Sequence, residues 1–198
     1  MLDPEEEQLA SQGLLGDVAR HLDREALDRG FAALPAPPRD RGTLGLIVAR
    51  GEDHRRETPK RVRLTAEQGV PGDRWLAHDG RPESQLAVMR IDVARLLANG
   101  QDLALFGDNL LVDLDLSTSN LPPGTRLRLG GALLEVTPEP HTGCSLFRRR
   151  FGGDALRLTA DKALRDQHLR GIYLRVVEPG EVSVGDPIEV ISRAAAPQ

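Results

Sequence analysis

The sequence predicts a mainly β fold with flanking helices, in which a closed or partly closed β-barrel follows an N-terminal helical arm. Three observations predict this class. Short segments rich in β-formers recur between residues 43 and 191 and are separated by turn signals such as Pro-Gly and Gly-Asp. Strands and helices do not alternate regularly, which argues against a doubly wound parallel sheet. Apolar residues before residue 35 recur instead at helical spacing.

The arm is predicted from residues 3–33. Asp3-Pro4 is a typical helix start, and Gly13 and Gly16 predict a break into two helices. Residues 35–42 are rich in proline and predict a stiff linker. We therefore predict an arm and linker over residues 1–40 and a barrel domain over residues 41–198. The arm is expected to pack on its own domain or on a partner subunit.

The barrel domain contains most of the predicted strands. Gly130-Gly131 is a two-residue loop that predicts a hairpin. A short helix is expected over residues 91–98, ending at Asn99-Gly100. Further helices are expected over 144–152 and 154–164, and Pro179-Gly180 and Gly185-Asp186 supply the last turns. The predicted strands are 43–49, 61–65, 84–89, 109–114, 126–131, 132–137, 171–177 and 187–191.

Composition excludes several classes of protein. The chain has 198 residues, 39% apolar and 28% charged, with a net charge of −4, which argues against a general nucleic-acid binder. No apolar run is long enough to cross a membrane, and the first residues show no signal-peptide pattern. The single cysteine cannot form an intrachain disulfide, which is consistent with a cytoplasmic protein.

That cysteine, Cys144, has an informative neighbourhood. His141 precedes it by three residues, and three arginines, 148–150, follow it. We expect Cys144 in the first turn of a helix capped by Thr142, where the helix dipole and nearby guanidinium groups favour the thiolate. His141 is then a base, a hydrogen-bond partner of the sulfur or a residue that orients a ligand. Cysteine plus histidine supplies too few ligands for structural zinc.

A simpler interpretation of the same residues stays open at this point. Free cysteines are often buried packing residues, and a loop histidine is often a satisfied structural group. Two of the three arginines are then the solvated face of their helix.

Two glycine-containing loops are expected to converge on the cysteine. The first, residues 69–75, carries Asp73 and Arg74, and the second is Gly107-Asp108-Asn109. Glycine loops let backbone N–H groups approach an anion, and Arg74 adds positive charge. Taken separately, each loop is equally typical of a plain turn.

The order of these segments resembles the MOSC domain, the C-terminal domain of molybdenum cofactor sulfurases, which also occurs in small free-standing bacterial proteins. The resemblance covers residues 43–192. The segments that match the family, in the expected order, are Gly69–Arg74, 85–89, Gly107–Asn109, the hairpin at 123–137, Cys144 and 170–186. Cys144 occupies the position of the family's signature cysteine. Trp75 and Asp108 depart from the family's usual histidine and glutamate, and Pro-His-Thr-Gly-Cys departs from the simpler Pro-Cys form.

The resemblance implies a MOSC-type barrel with a cleft for a molybdopterin-type molybdenum cofactor, which the purified protein need not retain. Cys144 would bind molybdenum or carry a persulfide, and His141 would assist proton delivery. No pyridoxal-phosphate domain is expected. The residues implied in cofactor binding are Asp73, Arg74, Asn109, Thr142, Arg148, Arg149, Arg150 and Arg170.

Three functions follow as expectations. The first is a molybdenum-dependent oxidoreductase that reduces N-hydroxylated or S-oxidised small molecules, with Cys144 as metal ligand. The second is a sulfur carrier or sulfurtransferase with a persulfide on Cys144. The third is a non-catalytic module that binds an anionic ligand or a protein. Expected partners are a small molecule and a redox or sulfur-donor protein, with no nucleic acid or membrane; the oligomeric state stays open.

Overall fold

The computed structural model describes residues 4–52 and 54–194, which form eleven strands. The strands are β1 (Arg41–Ile47), β2 (Ala49–Arg50), β3 (Arg56–Glu57), β4 (Arg61–Leu64), β5 (Leu86–Arg90), β6 (Leu110–Asp113), β7 (Arg126–Leu129), β8 (Ala132–Val136), β9 (Ile172–Glu178), β10 (Gly180–Ser183) and β11 (Pro187–Ser192).

Six α-helices and four short 3-10 turns accompany these strands within the described residues. The helices are α1 (Pro4–Ser11), α2 (Arg24–Ala32), α3 (Trp75–His78), α4 (Ile91–Ala98), α5 (Ser145–Phe151) and α6 (Gly153–Thr159). The 3-10 turns are Val18–Arg20, Pro82–Ser84, Leu103–Phe106 and Lys162–Gln167. None of these helices has the length and apolar character that crossing a bilayer requires.

Seven of the strands close into a barrel, which confirms the predicted fold class. Their order is β1-β11-β7-β8-β9-β5-β6, and β6 pairs back onto β1. β5 and β6 pair in parallel and are connected by α4, whereas the other barrel pairs are antiparallel. Closure leaves no free sheet edge in the barrel wall.

Alternating apolar side chains fill the barrel interior. Leu44, Leu86, Leu110, Leu134 and Leu174, which come from five different strands, are each 0% exposed. Aromatic rings are scarce in the chain, so branched aliphatic side chains supply this core.

A second core lies between the barrel wall and the helices. Leu9, Leu14 and Leu27 of the arm pack in one cluster with Met89 of β5 and Phe147 of α5. The arm therefore covers its own domain. It consists of two helices, as expected, and Gly13 and Gly16 in the break between them have φ values of 68° and 79°. The predicted start at Asp3 lies outside the described residues.

Most predicted elements are present, and the differences have physical causes. α4 and the β7–β8 hairpin occupy the predicted residues. The predicted strand 43–49 divides after Ile47 into β1 and β2, because β2 leaves the barrel to pair with β3. β10, in the segment for which only turns were predicted, pairs with β4 in a separate two-stranded sheet. The predicted helix 154–164 ends at Thr159, and a 3-10 turn follows.

Candidate functional site

Cys144 lies on the surface, at the start of α5. It is exposed, and its backbone is extended, with φ −115° and ψ −179°, so helical geometry begins one residue later at Ser145. The expectation that Thr142 caps this helix was wrong: Cys144 is the N-cap residue, and its side chain makes no capping bond. The interpretation of Cys144 as a buried packing residue is also excluded.

A buried carboxylate lies under the loop that leads to Cys144. Asp108 accepts two hydrogen bonds from Nη1 of Arg170, at 2.8 and 2.7 Å, and lies 3.4 Å from Nδ1 of His141. Burial raises the pKa of Asp108, and Arg170 opposes that change. Burial lowers the pKa of His141 well below its usual value, so the imidazole is neutral at pH 7.

Tyr173 of β9 packs against the ring of His141. The two ring centroids are 4.5 Å apart. Burial raises the pKa of Tyr173, and the negative charge of Asp108 adds to the effect. Tyr173 therefore keeps its hydroxyl proton at neutral pH and can donate it in a hydrogen bond.

A second carboxylate joins the two glycine-containing loops to each other. Their convergence on Cys144 stays a prediction. Asp73 accepts hydrogen bonds from the side chain of Arg50 at 2.9 and 2.7 Å and from Nδ2 of Asn109 at 2.9 Å. Oδ1 of Asn109 in turn accepts from the backbone of Ala87 in β5 at 3.0 Å. The side chain of Asp73 is only 1% exposed, so this network fixes Arg50 at the barrel rim.

Arg74 lies beside this network. Its backbone N–H donates to the carbonyl of Arg50 at 2.7 Å, and its Nη1 lies 3.4 Å from Nδ1 of His54. Together with Tyr173, these residues border a cavity of about 320 Å³. The lining residues are Arg50, His54, Arg74, Trp75, His78, Asp79, Ser84 and Tyr173.

The three arginines after Cys144 have different surroundings. Arg148 and Arg149 are exposed and line a separate cavity of about 670 Å³ beside the arm, so the expectation of two solvent-facing arginines was right. Arg150 is 4% exposed. Its Nε and Nη1 donate to the carbonyls of Leu14 and Leu105, each at 2.7 Å.

Five arginines surround the site, and we call Arg50, Arg56, Arg74, Arg150 and Arg170 the arginine cluster. Burial and, after it, repulsion from Arg150, Arg74 and Arg50 together lower the pKa of Arg56 to about 10. The pKa of Arg150 is likewise lowered to about 10, mainly by burial, with Cys144 opposing the change and Arg74 and Arg170 adding to it. The cluster is therefore rich in positive charge next to the thiol.

Unpartnered buried nitrogens concentrate in the same place. Across the described part of the chain, the buried side-chain nitrogens and oxygens without a hydrogen-bond partner are Arg56 Nε, His141 Nδ1, Arg150 Nη2 and Arg170 Nε. Buried N–H groups without a partner are rare and costly in folded proteins. Their location within one cluster is typical of a site that binds an anion.

Several residues of this site were not foreseen from the sequence. Arg50 and Arg56 were not singled out, although Arg50 directly follows the predicted strand 43–49 and precedes a glycine. Tyr173 carries a weak signal as the single tyrosine of the chain. Asp108 was noted as a departure from a motif, and its burial against Arg170 was not expected.

The fold and the site together define the class of protein: a closed β-barrel that carries one exposed thiol beside a cluster of arginines. The model of the MOSC domain matches residues 76–189, which is more than half of the chain. The chain therefore belongs to the MOSC domain family. The arm, Asp73 and Arg74 precede the matched residues.

Individual proteins are similar to this chain in sequence or in fold. The uncharacterized protein YflK of Bacillus subtilis strain 168 is 29% identical over 130 residues, 62% of this chain and 54% of that protein. The chain thus spans about half the length of this curated relative. YiiM of Escherichia coli superposes with a TM-score of 0.52 at 24% identity, over 77% of this chain and 71% of that one. YuaD of Bacillus subtilis superposes with a TM-score of 0.52 at 21% identity, over 76% of this chain and 95% of that one. These likenesses establish the fold.

Proposed function

We propose that this protein binds a molybdopterin-type molybdenum cofactor with Cys144 as the protein ligand to the metal. We further propose that the loaded protein reduces N-hydroxylated or S-oxidised small molecules. The observation that carries the proposal is the position of the one exposed thiol beside an arginine cluster that has unpartnered buried N–H groups.

The residues present fit such a group. A thiolate is a soft ligand that suits molybdenum, and a pterin dithiolene brings further sulfur ligands of its own. The described residues contain no group of three His, Cys, Asp or Glu side chains spaced to hold a metal. A metal at Cys144 would therefore take its remaining ligands from a cofactor. Arginine nitrogens match the phosphate of that cofactor in charge and geometry.

Each side chain of the site has a role in this proposal. Cys144 would hold the metal, and Arg74 would balance negative charge on the cofactor. Arg170, whose charge Asp108 already neutralises, would contribute its unpartnered Nε as a hydrogen-bond donor. Asp73 and Asn109 would act indirectly, by fixing Arg50. Tyr173, which keeps its proton, would donate a hydrogen bond to a substrate oxygen, and the neutral His141 would orient that hydroxyl. When bound, the metal would supply the two-electron chemistry of the reduction.

The remaining residues that the family resemblance implies in cofactor binding lie farther out on the surface. Thr142, Arg148 and Arg149 are exposed, and the two arginines border the arm-side cavity and not the one lined by Arg74. We keep them as candidates for contacts at the outer rim of the site.

The test compares Cys144→Ser with Ser145→Ala, a control at the adjacent exposed position. Both proteins and the wild type are purified from a host that makes the cofactor, and bound molybdenum and pterin are measured by elemental analysis and fluorescence. We expect wild type and Ser145→Ala to retain both, and Cys144→Ser to lose most of the molybdenum.

Two results would contradict the proposal. One is molybdenum content that Cys144→Ser leaves unchanged. The other combines two observations on the wild type. The purified protein contains no pterin, and mass spectrometry shows one added sulfur at Cys144 after incubation with a cysteine desulfurase. The second result would favour the sulfur-carrier function.

A further inference from the structure

A cavity of about 670 Å³ lies between the N-terminal arm and the two helices that follow Cys144. None of its lining residues belongs to the arginine cluster, so among the described residues this cavity is distinct from the site assigned to the cofactor. A concave space of this size is typical of a binding site for a small molecule. Its lining includes Leu15, Val18 and His21 of the arm and, from the segment of α5 and α6, Arg148, Gly152 and Gly153.

The arm contributes an apolar wall whose position is fixed. Val18 is 73% exposed, although it lies in a 3-10 turn that is tied to the domain on both sides. The backbone N–H of Asp17 donates to Oε1 of Gln101 at 2.7 Å. Nδ2 of Asn99 donates to the carbonyl of Arg20 at 3.0 Å. The turn therefore holds an apolar side chain in solvent at the edge of the cavity, where a ligand that covers it would remove apolar surface from water.

Glycines keep the opposite wall free of side chains. Gly152 is required by packing, because its φ is 95° and a Cβ atom there would lie 3.1 Å from Cγ of His21. Gly153 is different, since its backbone is helical and a Cβ atom would make ordinary contacts, at 3.5 Å from Nη1 of Arg157 and 3.7 Å from Nε of Arg148. The fold does not require glycine at position 153, and the missing side chain leaves the cavity open beside Arg148.

The charged side chains that line the cavity are all positive. Arg148 is exposed there, and the described lining residues include no aspartate or glutamate. Two carboxylates on the same segments are engaged by other arginines. Asp17 lies 3.9 Å from Nε of Arg20. Asp154 accepts from Nε of Arg157 at 3.1 Å. Because a guanidinium group matches a carboxylate in charge and geometry, the cavity combines an apolar wall with a partner for one carboxylate.

We propose that this cavity binds a small amphipathic carboxylate. The apolar body of the ligand would lie against Leu15 and Val18, and its carboxylate would bind Arg148. Both parts of the ligand are needed, because an ion pair with an exposed arginine contributes little by itself and apolar contact alone does not select an anion. The site does not depend on the proposed function. Cys144 does not line the cavity, so Cys144→Ser is expected to bind the carboxylate like the wild type.

Such a ligand would connect two segments that are far apart in the chain. One wall of the cavity comes from residues 15–21 and the other from residues 145–153. A molecule that contacts both walls would hold the arm against α5, so binding should make local opening of both segments less frequent. The ligand would also lie beside Ser145, which lines the cavity and directly follows Cys144.

The test measures binding of octanoate by calorimetry and by thermal unfolding, at matched ionic strength set with chloride. Three matched probes accompany it: acetate lacks the apolar chain, octylamine carries the opposite charge and octanol carries none. We expect octanoate to bind and to raise the Tm of the wild type, and each matched probe to bind at least tenfold more weakly. From butanoate to octanoate the affinity should rise by up to about fourfold per CH₂ group.

Two substitutions locate the site. In Arg148→Gln the dissociation constant for octanoate should rise at least tenfold. Val18→Glu should have an effect at least as large, because it replaces an apolar contact by a like charge. Both residues are exposed, so both variants should keep the Tm of the wild type in the absence of octanoate. The control is Arg126→Gln, since Arg126 is exposed on β7 and does not line the cavity.

Hydrogen exchange gives a readout that does not depend on the variants. With octanoate, amide exchange in the wild type should slow in residues 14–22 and 145–153 and stay unchanged in β4 and β10. The proposal would be overturned if octanoate does not bind, if any matched probe binds as tightly, or if inorganic phosphate displaces octanoate at matched ionic strength. Octanoate binding that Arg148→Gln or Val18→Glu leaves intact would place the ligand elsewhere and would overturn it as well.

Discussion

Arg170 holds both carboxylate oxygens of Asp108 with a single nitrogen, Nη1. Asp108 is 1% exposed and Arg170 is 9% exposed, so each neutralises the other away from solvent. The Cζ atom of Arg170 also lies 5.1 Å from the ring centroid of Phe147 in α5. The pair therefore connects the loop before β6, the start of β9 and the helix that follows Cys144.

Replacement of Asp108 should destabilise the protein strongly. Asp108→Asn keeps the side-chain volume and leaves Arg170 as a buried charge without its counter-ion, so we expect the free energy of unfolding to fall by about 3–5 kcal/mol. Urea denaturation measures the change. Asp113→Asn, at an exposed position of β6, is the control and should change stability by less than about 0.5 kcal/mol. Equal effects of the two substitutions would refute the importance of the pair.

Cys144 should prefer an anionic reagent. The same thiolate attacks iodoacetate and iodoacetamide and displaces iodide from each. The ratio of the two rates therefore reports the local electrostatic potential, because the thiolate fraction cancels. We expect this ratio to be several-fold higher in the folded protein than in urea, and to fall when salt is raised to about 0.5 M, because salt screens the arginine cluster. A ratio that is the same in both states would mean that the cluster does not act on the sulfur.

His141 should make stability depend on pH. Its pKa is lowered in the folded state, so the unfolded chain binds a proton at His141 before the folded protein does. The stabilisation is complete above about pH 6.5 and is lost as the pH falls, by at most about 1.4 kcal/mol per pH unit. Denaturation curves between about pH 7.5 and 5.5 test this expectation.

The matched variant for this measurement is His141→Gln. His168, whose pKa burial also lowers, acts in the same direction, whereas the raised pKa of Asp108 acts in the opposite one. The difference between wild type and His141→Gln isolates the contribution of His141. Parallel curves for the two proteins would show that this residue titrates alike in the folded and unfolded states.

The second core should depend on its aromatic rings. Phe151 is 1% exposed and stacks on Phe106, with ring centroids 3.9 Å apart. Phe151→Ala should lower the free energy of unfolding by about 3–5 kcal/mol, because it removes buried surface and leaves a cavity. Leu76→Ala is the exposed control, since Leu76 is 58% exposed. Thermal and urea unfolding measure the stability change of each variant. A loss of less than about 1 kcal/mol in Phe151→Ala, which is within the range of surface substitutions, would count against this packing.

Local signals were sufficient to predict most of the fold. The Gly130-Gly131 loop and the end of α4 at Asn99 are encoded by residues that adopt turn conformations, so both were located correctly. β10 was not predicted, because its pairing with β4 joins segments that are far apart in sequence. Thr142 was expected to cap α5 because threonine favours that position, but the extended backbone of Cys144 moved the boundary.

The candidate site was predictable in part. Asp73 and Asn109 were singled out, and the hydrogen bond between them is present. Arg150 was grouped with Arg148 and Arg149, since adjacent residues of one type look alike in a sequence. Only the packing of the arm distinguishes them, by burying Arg150 against Leu14. Long-range contacts of this kind leave no local pattern.

Barrel closure has a consequence for synthesis of the chain. Arg41 at the start of β1 pairs with Glu189 of β11, so the wall is sealed by strands that leave the ribosome at very different times. Until residues 187–192 emerge, β1 and β7 each present an unpaired edge to solvent or to other nascent chains. The incomplete sheet is therefore prone to aggregation until the last strand pairs, and chaperones would protect it during that time.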